Sequence, residues 1–227
     1  MARTRRVAGP TAALAGVPAG VQAQGVWVGR RQLFVRFAAE AETATMYTAD
    51  ALVAELDRVA ARSPFHSLAI AGRDPLGNAE FLVAVLEQQG TRLPVLLDTD
   101  GQRPEVVREI TPRVSLVQVT LELGAEPASG DAAVERALQT VGEAARLGRE
   151  HAVVLVPSEQ ASDGRLLRIV EQAHAASASV MIVVHPTPAP GAGGAPDRRW
   201  STLLERASAL HADVRLALRI PPPLGLR

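Results

Sequence analysis

Apolar runs of strand length alternate with amphipathic helical stretches along most of this 227-residue chain. That alternation restricts the fold more than any other feature of the sequence. Runs at 33–37, 67–71, 93–97, 114–121, 152–156, 179–184 and 214–218 read as strands. Between them, 49–62, 78–89, 104–110, 131–146, 163–176 and 200–210 carry helical periodicity. The first places Leu52, Val53, Leu56 and Val59 on one face, and the second Phe81, Leu82, Val85 and Leu86. Near-continuous apolar strands joined by helices imply a mostly parallel sheet covered by helices. Seven such strands without an eighth fit an incomplete, open barrel. A doubly wound sheet would want a glycine-rich turn after its first strand, and none is present.

Composition then narrows the chemistry. Formal net charge is zero, which argues against electrostatic binding to nucleic acid or an anionic membrane surface. Every basic residue except histidine is arginine, so a Schiff-base lysine and a lysine-bearing phosphate loop are excluded. The chain has no cysteine and therefore no disulfide, thiolate metal site or thiol nucleophile. No apolar run is long enough to span a membrane. Residues 1–20 are arginine-rich, then rich in Ala, Gly and Pro, and weakly apolar with breaks at Pro10 and Pro18. They read as a flexible tail rather than an export signal. Residues 21–227 read as one partial barrel domain, expected in the cytoplasm.

Several motifs occur in one colinear series. Gln22-Ala23-Gln24-Gly25 is followed by Gly29-Arg30-Arg31-Gln32-Leu33-Phe34-Val35-Arg36-Phe37. Ala71-Gly72-Arg73-Asp74-Pro75 follows the second strand, and Asp98-Thr99-Asp100-Gly101 the third. The end reads Asp213-Val214-Arg215-Leu216 and then Pro221-Pro222-Pro223-Leu224-Gly225-Leu226-Arg227. This series resembles the 7-carboxy-7-deazaguanine synthases, radical S-adenosylmethionine enzymes of queuosine biosynthesis, from about Gln22 to Arg227. The resemblance implies an incomplete parallel β/α barrel of the radical S-adenosylmethionine type, and a tendency to dimerise. It also implies that Gln22, Gln24 and Arg36 descend from groups that contact a pterin-like substrate. A guanidinium can hold a carboxylate through two parallel bonds, which suits Arg36; a pair with Glu40 or Glu42 is the alternative.

The reactive positions of that family are lost. Its three cluster cysteines fall on Glu40, Ala44 and Tyr47, none of which supplies a thiolate for an iron–sulfur cluster. The magnesium-binding threonine is replaced by Ala49, the second glycine of its glycine pair by Arg73, and its substrate-facing histidine by Pro221. Arg73 is expected to obstruct the cosubstrate site. Neither cluster, S-adenosylmethionine nor magnesium is expected as a cofactor. The acidic loop 40–47 is helix-prone and expected to extend or cap the next helix.

In such barrels the functional face is the carboxyl end of the strands. That rule collects Arg36, Glu40, Arg73, Asp74, Asp98, Asp100, Glu122, Ser158, Glu159, His185 and Arg219. Buried charges persist only when paired, so Arg73 and Arg219 are expected to face Asp98, Asp100 or Glu122. A metal site of Asp98, Asp100 and His185 is the alternative, since only His185 among the five histidines ends a strand. No Gly-x-Ser-x-Gly motif marks a serine hydrolase. The tract 186–196 reads as a flexible spacer or lid. The expected function is that of a pseudoenzyme: a binding, regulatory or partner subunit, as a homodimer or as a heterodimer with an active relative. The alternatives are a pterin- or deazapurine-type ligand binder and a re-purposed non-redox enzyme.

Overall fold

The structure, a computed structural model, describes residues 9–89, 92–125, 131–186 and 198–220. Seven strands run parallel and in chain order: β3 (Arg31–Phe37), β5 (Ser67–Gly72), β6 (Val95–Thr99), β7 (Leu116–Leu123), β8 (Glu150–Pro157), β9 (Met181–Val184) and β10 (Val214–Leu216). Beyond β3 the sheet continues with β1 (Thr11–Gly16), antiparallel to β3, and β4 (Thr45–Thr48), antiparallel to β1, while β2 (Ala19–Val21) pairs antiparallel with the first half of β3. The order runs from β10 at one edge to β4 at the other, so the sheet is open rather than closed. It has no reversal of strand order of the kind that defines a doubly wound fold.

The connecting helices are α1 (Ala49–Ala60), α2 (Ala79–Gln88), α3 (Val107–Ile110), α4 (Ala132–Arg146), α5 (Asp163–Ala176) and α6 (Arg198–Leu210). Their apolar stripes face one side of the sheet. Leu52, Leu56, Phe81, Leu82 and Val85 pack on Leu33, Val35, Leu68, Ile70 and Leu97. Val134, Val141, Leu166, Val170 and Leu203 pack on Val119, Leu121, Val153, Leu155 and Ile182. Thr48 caps α1 by accepting from the Ala51 N–H, and Ser162 caps α5 by accepting from the Arg165 N–H. Asp131 sits at the cap position of α4, but its carboxylate is drawn away to the buried Arg165 guanidinium at 2.8 and 2.5 Å.

The opposite face has no helix over it among the described residues. Its first layer is Phe34, Ala69, Leu96, Leu116 and Ala152, covered by Val26, Trp27 and Met181. A second patch, Val154, Val156 and Val183, meets Val26 and Ala217. The cover is a tight turn closed by Gln22 N–H to Arg30 O and Gly29 N–H to Gln22 O, each 2.9 Å. Trp27 extends from it to stack edge-on against His66. Side chains and one loop thus pack this face of the sheet.

Two expectations are corrected. Residues 11–16 and 19–20, expected as part of a flexible tail over 1–20, belong to β1 and β2. Ala12 and Leu14 are buried, and antiparallel bonding to β3 and β4 anchors a segment whose small residues give little pattern to read. Residues 45–47 of the acidic loop belong to strand β4 rather than to a helical extension, because β1 offers a free edge in register: Ala12 opposite Tyr47 and Leu14 opposite Thr45. Residues 1–8, 187–197 and 221–227 lie outside the described residues, and with them most of the 186–196 tract, Pro221 and the end of the C-terminal motif. No helix among the described residues is long and apolar enough to cross a membrane. Phe34 has no exposed surface, so Phe34→Ala should destabilise the fold by about 3–5 kcal/mol in urea titration. A loss near zero would show that this face is not a packed core.

Candidate functional site

A cavity of about 790 Å3 opens at the carboxyl ends of β3, β5 and β6. Parallel register brings the strand ends together: Arg36 lies beside Ala71, Phe37 beside Gly72 and Ile70 beside Leu97. Arg36, Arg73, Asp74, Asp98 and Asp100 all line this cavity, so five of the residues collected from strand ends converge. Gly72 permits the approach: its φ is +102°, and a Cβ there would lie 2.3 Å from the Phe37 carbonyl oxygen.

Every arginine of the cavity holds an oxygen acceptor. The Arg36 guanidinium donates to Glu42 at 2.6 Å, and Glu42 also accepts from the Ala39 N–H at 3.0 Å. That backbone bond, with the Arg36 charge behind it, holds the Glu42 carboxyl below its ordinary pKa. Arg73 donates to Glu40 at 2.7 Å. Arg103 grips both oxygens of Asp74 at 2.6–3.0 Å, which raises the guanidinium pKa further through that hydrogen bond. Arg136 donates to the Gln102 carbonyl at 2.9 Å and to Glu105 at 3.3 Å. Asp98 is buried at the end of β6 and accepts from Thr120 Oγ1 at 2.6 Å. Asp100 is exposed and accepts from the Gln102 N–H.

Arg73 and Arg219 do not face Asp98, Asp100 or Glu122 in buried pairs as expected. Arg73 is more than half exposed and turns to Glu40 on the rim, and Arg219 is exposed. A long guanidinium stem reaches water more cheaply than it buries a charge. For the same reason Arg73 does not fill the cavity.

Gln22, Gln24 and His185 assemble elsewhere, in the buried interior under the covering turn. His185 Nε2 accepts from the Gly25 N–H at 2.7 Å, and Gln118 Oε1 accepts from the Val26 N–H at 3.0 Å. Gly25 has φ +82°, and any Cβ would collide with the Gln118 amide at 1.9 Å. Gln22 Oε1, both amide atoms of Gln24 and Gln118 Nε2 are buried and make no hydrogen bond within the described residues. Burial lowers the His185 pKa, and the positive Arg219 adds to this while the Ala217 backbone opposes it. His185 is thus a neutral acceptor, held apart from the cavity that Asp98 and Asp100 line, and no group of three metal-binding side chains converges among the described residues. His151 is satisfied by Arg149 O and Ser177 Oγ, and His211 by Val180 O.

The positions matching the three cluster cysteines do not fit an iron–sulfur cluster. Glu40 is the partner of Arg73, Ala44 has no donor atom, and Tyr47 lies in β4 opposite Ala12. The sequence reading missed Gln118, Thr120, Arg103 and Arg136. The first two were signalled by alternation in β7, where Gln118 and Thr120 share a face with Leu116.

Comparison with known proteins agrees with a distant relationship. No family model matches the chain. It is 29% identical over 117 residues to the 7-carboxy-7-deazaguanine synthase of Methanothermobacter thermautotrophicus, covering 45% of this chain and 46% of that protein. The chain thus matches less than half the length of that curated relative. Among solved structures it is similar to SuiB of Streptococcus suis, with a TM-score of 0.55 at 14% identity, over 81% of this chain and 45% of SuiB. That likeness concerns the fold alone. Cgl0159 of Corynebacterium glutamicum, over 74% of this chain and 68% of its own length at 15% identity, reaches a TM-score of only 0.37 and carries no argument.

The His185 clamp generates a pH dependence. In the unfolded chain imidazole takes its proton near pH 6.5, whereas the folded ring stays neutral to lower pH. Above that pH both states are neutral and stability is complete. Below it the unfolded chain binds a proton that the fold does not, so stability falls as pH drops, until the folded ring also protonates. Urea titrations between pH 8 and 5 should show this decline, and His185→Gln should flatten it. His66, also lowered by burial, accounts for a residual slope.

Proposed function

We propose that this chain is a pseudoenzyme of the radical S-adenosylmethionine type, built on a partial parallel β/α barrel and related to the 7-carboxy-7-deazaguanine synthases of the queuosine pathway. In this reading it holds no iron–sulfur cluster, uses neither S-adenosylmethionine nor magnesium, and acts in the cytoplasm by binding. One observation carries it: the segment matching the cluster loop has become structural. Glu40 and Glu42 neutralise Arg73 and Arg36, and residues 45–48 extend the sheet. Without cysteine the loop cannot recover the lost ligands.

What remains is a cavity at the functional end of the strands, lined by polar groups suited to a small ligand or to a partner's side chains. A regulatory or partner subunit, as a homodimer or with an active relative, is the form of binding role the family likeness favours. A pterin- or deazapurine-type ligand is the second reading. The unsatisfied buried amides of Gln22 and Gln24, which correspond to substrate-contacting positions of the relatives, support it.

Two measurements test the proposal. Dithionite-reduced protein, after anaerobic treatment with iron and sulfide, should produce no 5′-deoxyadenosine from S-adenosylmethionine; multiple turnovers would overturn the pseudoenzyme reading. An active relative co-expressed with this chain should co-purify with it and change in rate. Separate elution with an unaltered rate removes the partner role, and titration with 6-carboxytetrahydropterin then decides the ligand reading.

A further inference from the structure

We propose that the cavity at the ends of β3, β5 and β6 binds a small dicarboxylate, and that the loop joining β3 to β4 is its built-in competitor. The inference rests on the reading that this site survives as a binding pocket. It adds the chemical class of the ligand and the means by which access is controlled.

The four arginines of the cavity divide into two kinds. Arg103 and Arg136 are committed to the framework: the first grips both oxygens of Asp74, which also accepts from the Gly77 N–H, and the second holds the Gln102 carbonyl and Glu105. Arg36 and Arg73 are committed to a loop. Each donates through one terminal nitrogen to one carboxylate, and the two carboxylates, Glu42 and Glu40, lie two residues apart on the same strand-to-strand connection. Two guanidiniums at neighbouring strand ends therefore already hold a pair of carboxylates. The loop acts as an internal dicarboxylate.

Three features make exchange with a free dicarboxylate reasonable. The loop is weakly seated: Ala39, Glu40, Ala41, Thr43 and Ala44 are exposed, and its link back to the rim runs through the Arg36 and Arg73 pairs. Exchange conserves charge, since two ligand carboxylates replace those of Glu40 and Glu42 and no arginine is left bare. A released guanidinium also offers a fork of donors, which two-point carboxylate binding uses better than the present single contacts. Asp98 and Asp100 line the β6 side and repel anions, confining both ligand charges to the arginine side. A monocarboxylate can replace only one of the two loop groups. The other keeps the loop in place, so it competes poorly.

The closed loop reduces apparent affinity by the fraction of molecules in which the arginines are free. Neutralising the loop should therefore tighten binding. Calorimetry of the full chain in a monovalent-salt buffer uses succinate as probe and propionate as its one-charge control. Circular dichroism confirms that each variant is folded; Glu40 and Arg73 are surface groups. The Glu40→Gln/Glu42→Gln double variant should bind succinate roughly tenfold more tightly than the wild type. Adding Arg73→Gln should abolish that gain, and propionate should bind far more weakly throughout. The proposal is overturned if the double variant binds succinate no better than the wild type, if Arg73→Gln leaves binding unchanged, or if propionate matches succinate. Production of 5′-deoxyadenosine is a separate readout. Failure of succinate binding with no such product sinks this inference alone.

Discussion

A parallel sheet whose helices, among the described residues, lie on one face must cover its other face from within, and the rest of this molecule follows from how that is done. The turn from Gln22 to Arg30 folds Val26 and Trp27 onto Phe34, Ala69, Leu96 and Leu116. To sit there its backbone must approach β7 and the end of β9 closely. Gly25 allows the approach, and Gln118 and His185 supply the hydrogen bonds. The lower half of that face becomes a packed core. The upper half, beyond the turn, stays open as the cavity between β3, β5 and β6. Covering and opening are two outcomes of one constraint.

The polar groups obey the same division. Under the turn, where water is excluded, the side chains are neutral: three glutamine amides and an imidazole kept uncharged by burial. At the cavity rim arginines pair with Glu40, Glu42, Asp74 and Glu105, while Asp98 is buried deeper and accepts from Thr120. Keeping these ion pairs at the exposed rim limits the desolvation cost of burying charge. Arg73 illustrates the rule. It was expected to obstruct the site, yet the cavity is not filled, because its charge finds an acid on the rim.

Much of the fold was legible. The seven parallel strands are near-continuous runs of Val, Leu, Ile and Ala, and a sheet buried on both faces requires such runs. The helices α1, α2, α4, α5 and α6 announce themselves by apolar stripes, and the buried set Phe81, Leu82, Val85 and Leu86 matches its reading residue for residue. What was hidden depends on partners rather than pattern. Strand β1 alternates Thr11, Ala12, Ala13 and Leu14, too small a contrast to stand out, and β4 is a polar Thr-Met-Tyr-Thr held by edge pairing. In the structure Arg36, Arg73, Asp74, Asp98 and Asp100, all collected from strand ends, line one cavity. Which acid each arginine chose was not legible beyond the Arg36–Glu42 alternative, since that choice depends on loop geometry. Gln22, Gln24 and His185 were grouped with them, but the two glutamines are buried within the covering turn and His185 accepts from its Gly25 N–H, because a linear motif carries no depth.

The central claim is one of ligand inventory: residues 40–48 form an ion-paired loop and an edge strand and offer no thiolate to a cluster. Mössbauer spectroscopy of the chain treated anaerobically with 57Fe and sulfide, then desalted, addresses it most directly. The account predicts no cluster signal above that of nonspecifically bound iron. A diamagnetic [4Fe–4S] quadrupole doublet, at one cluster per chain, would contradict it.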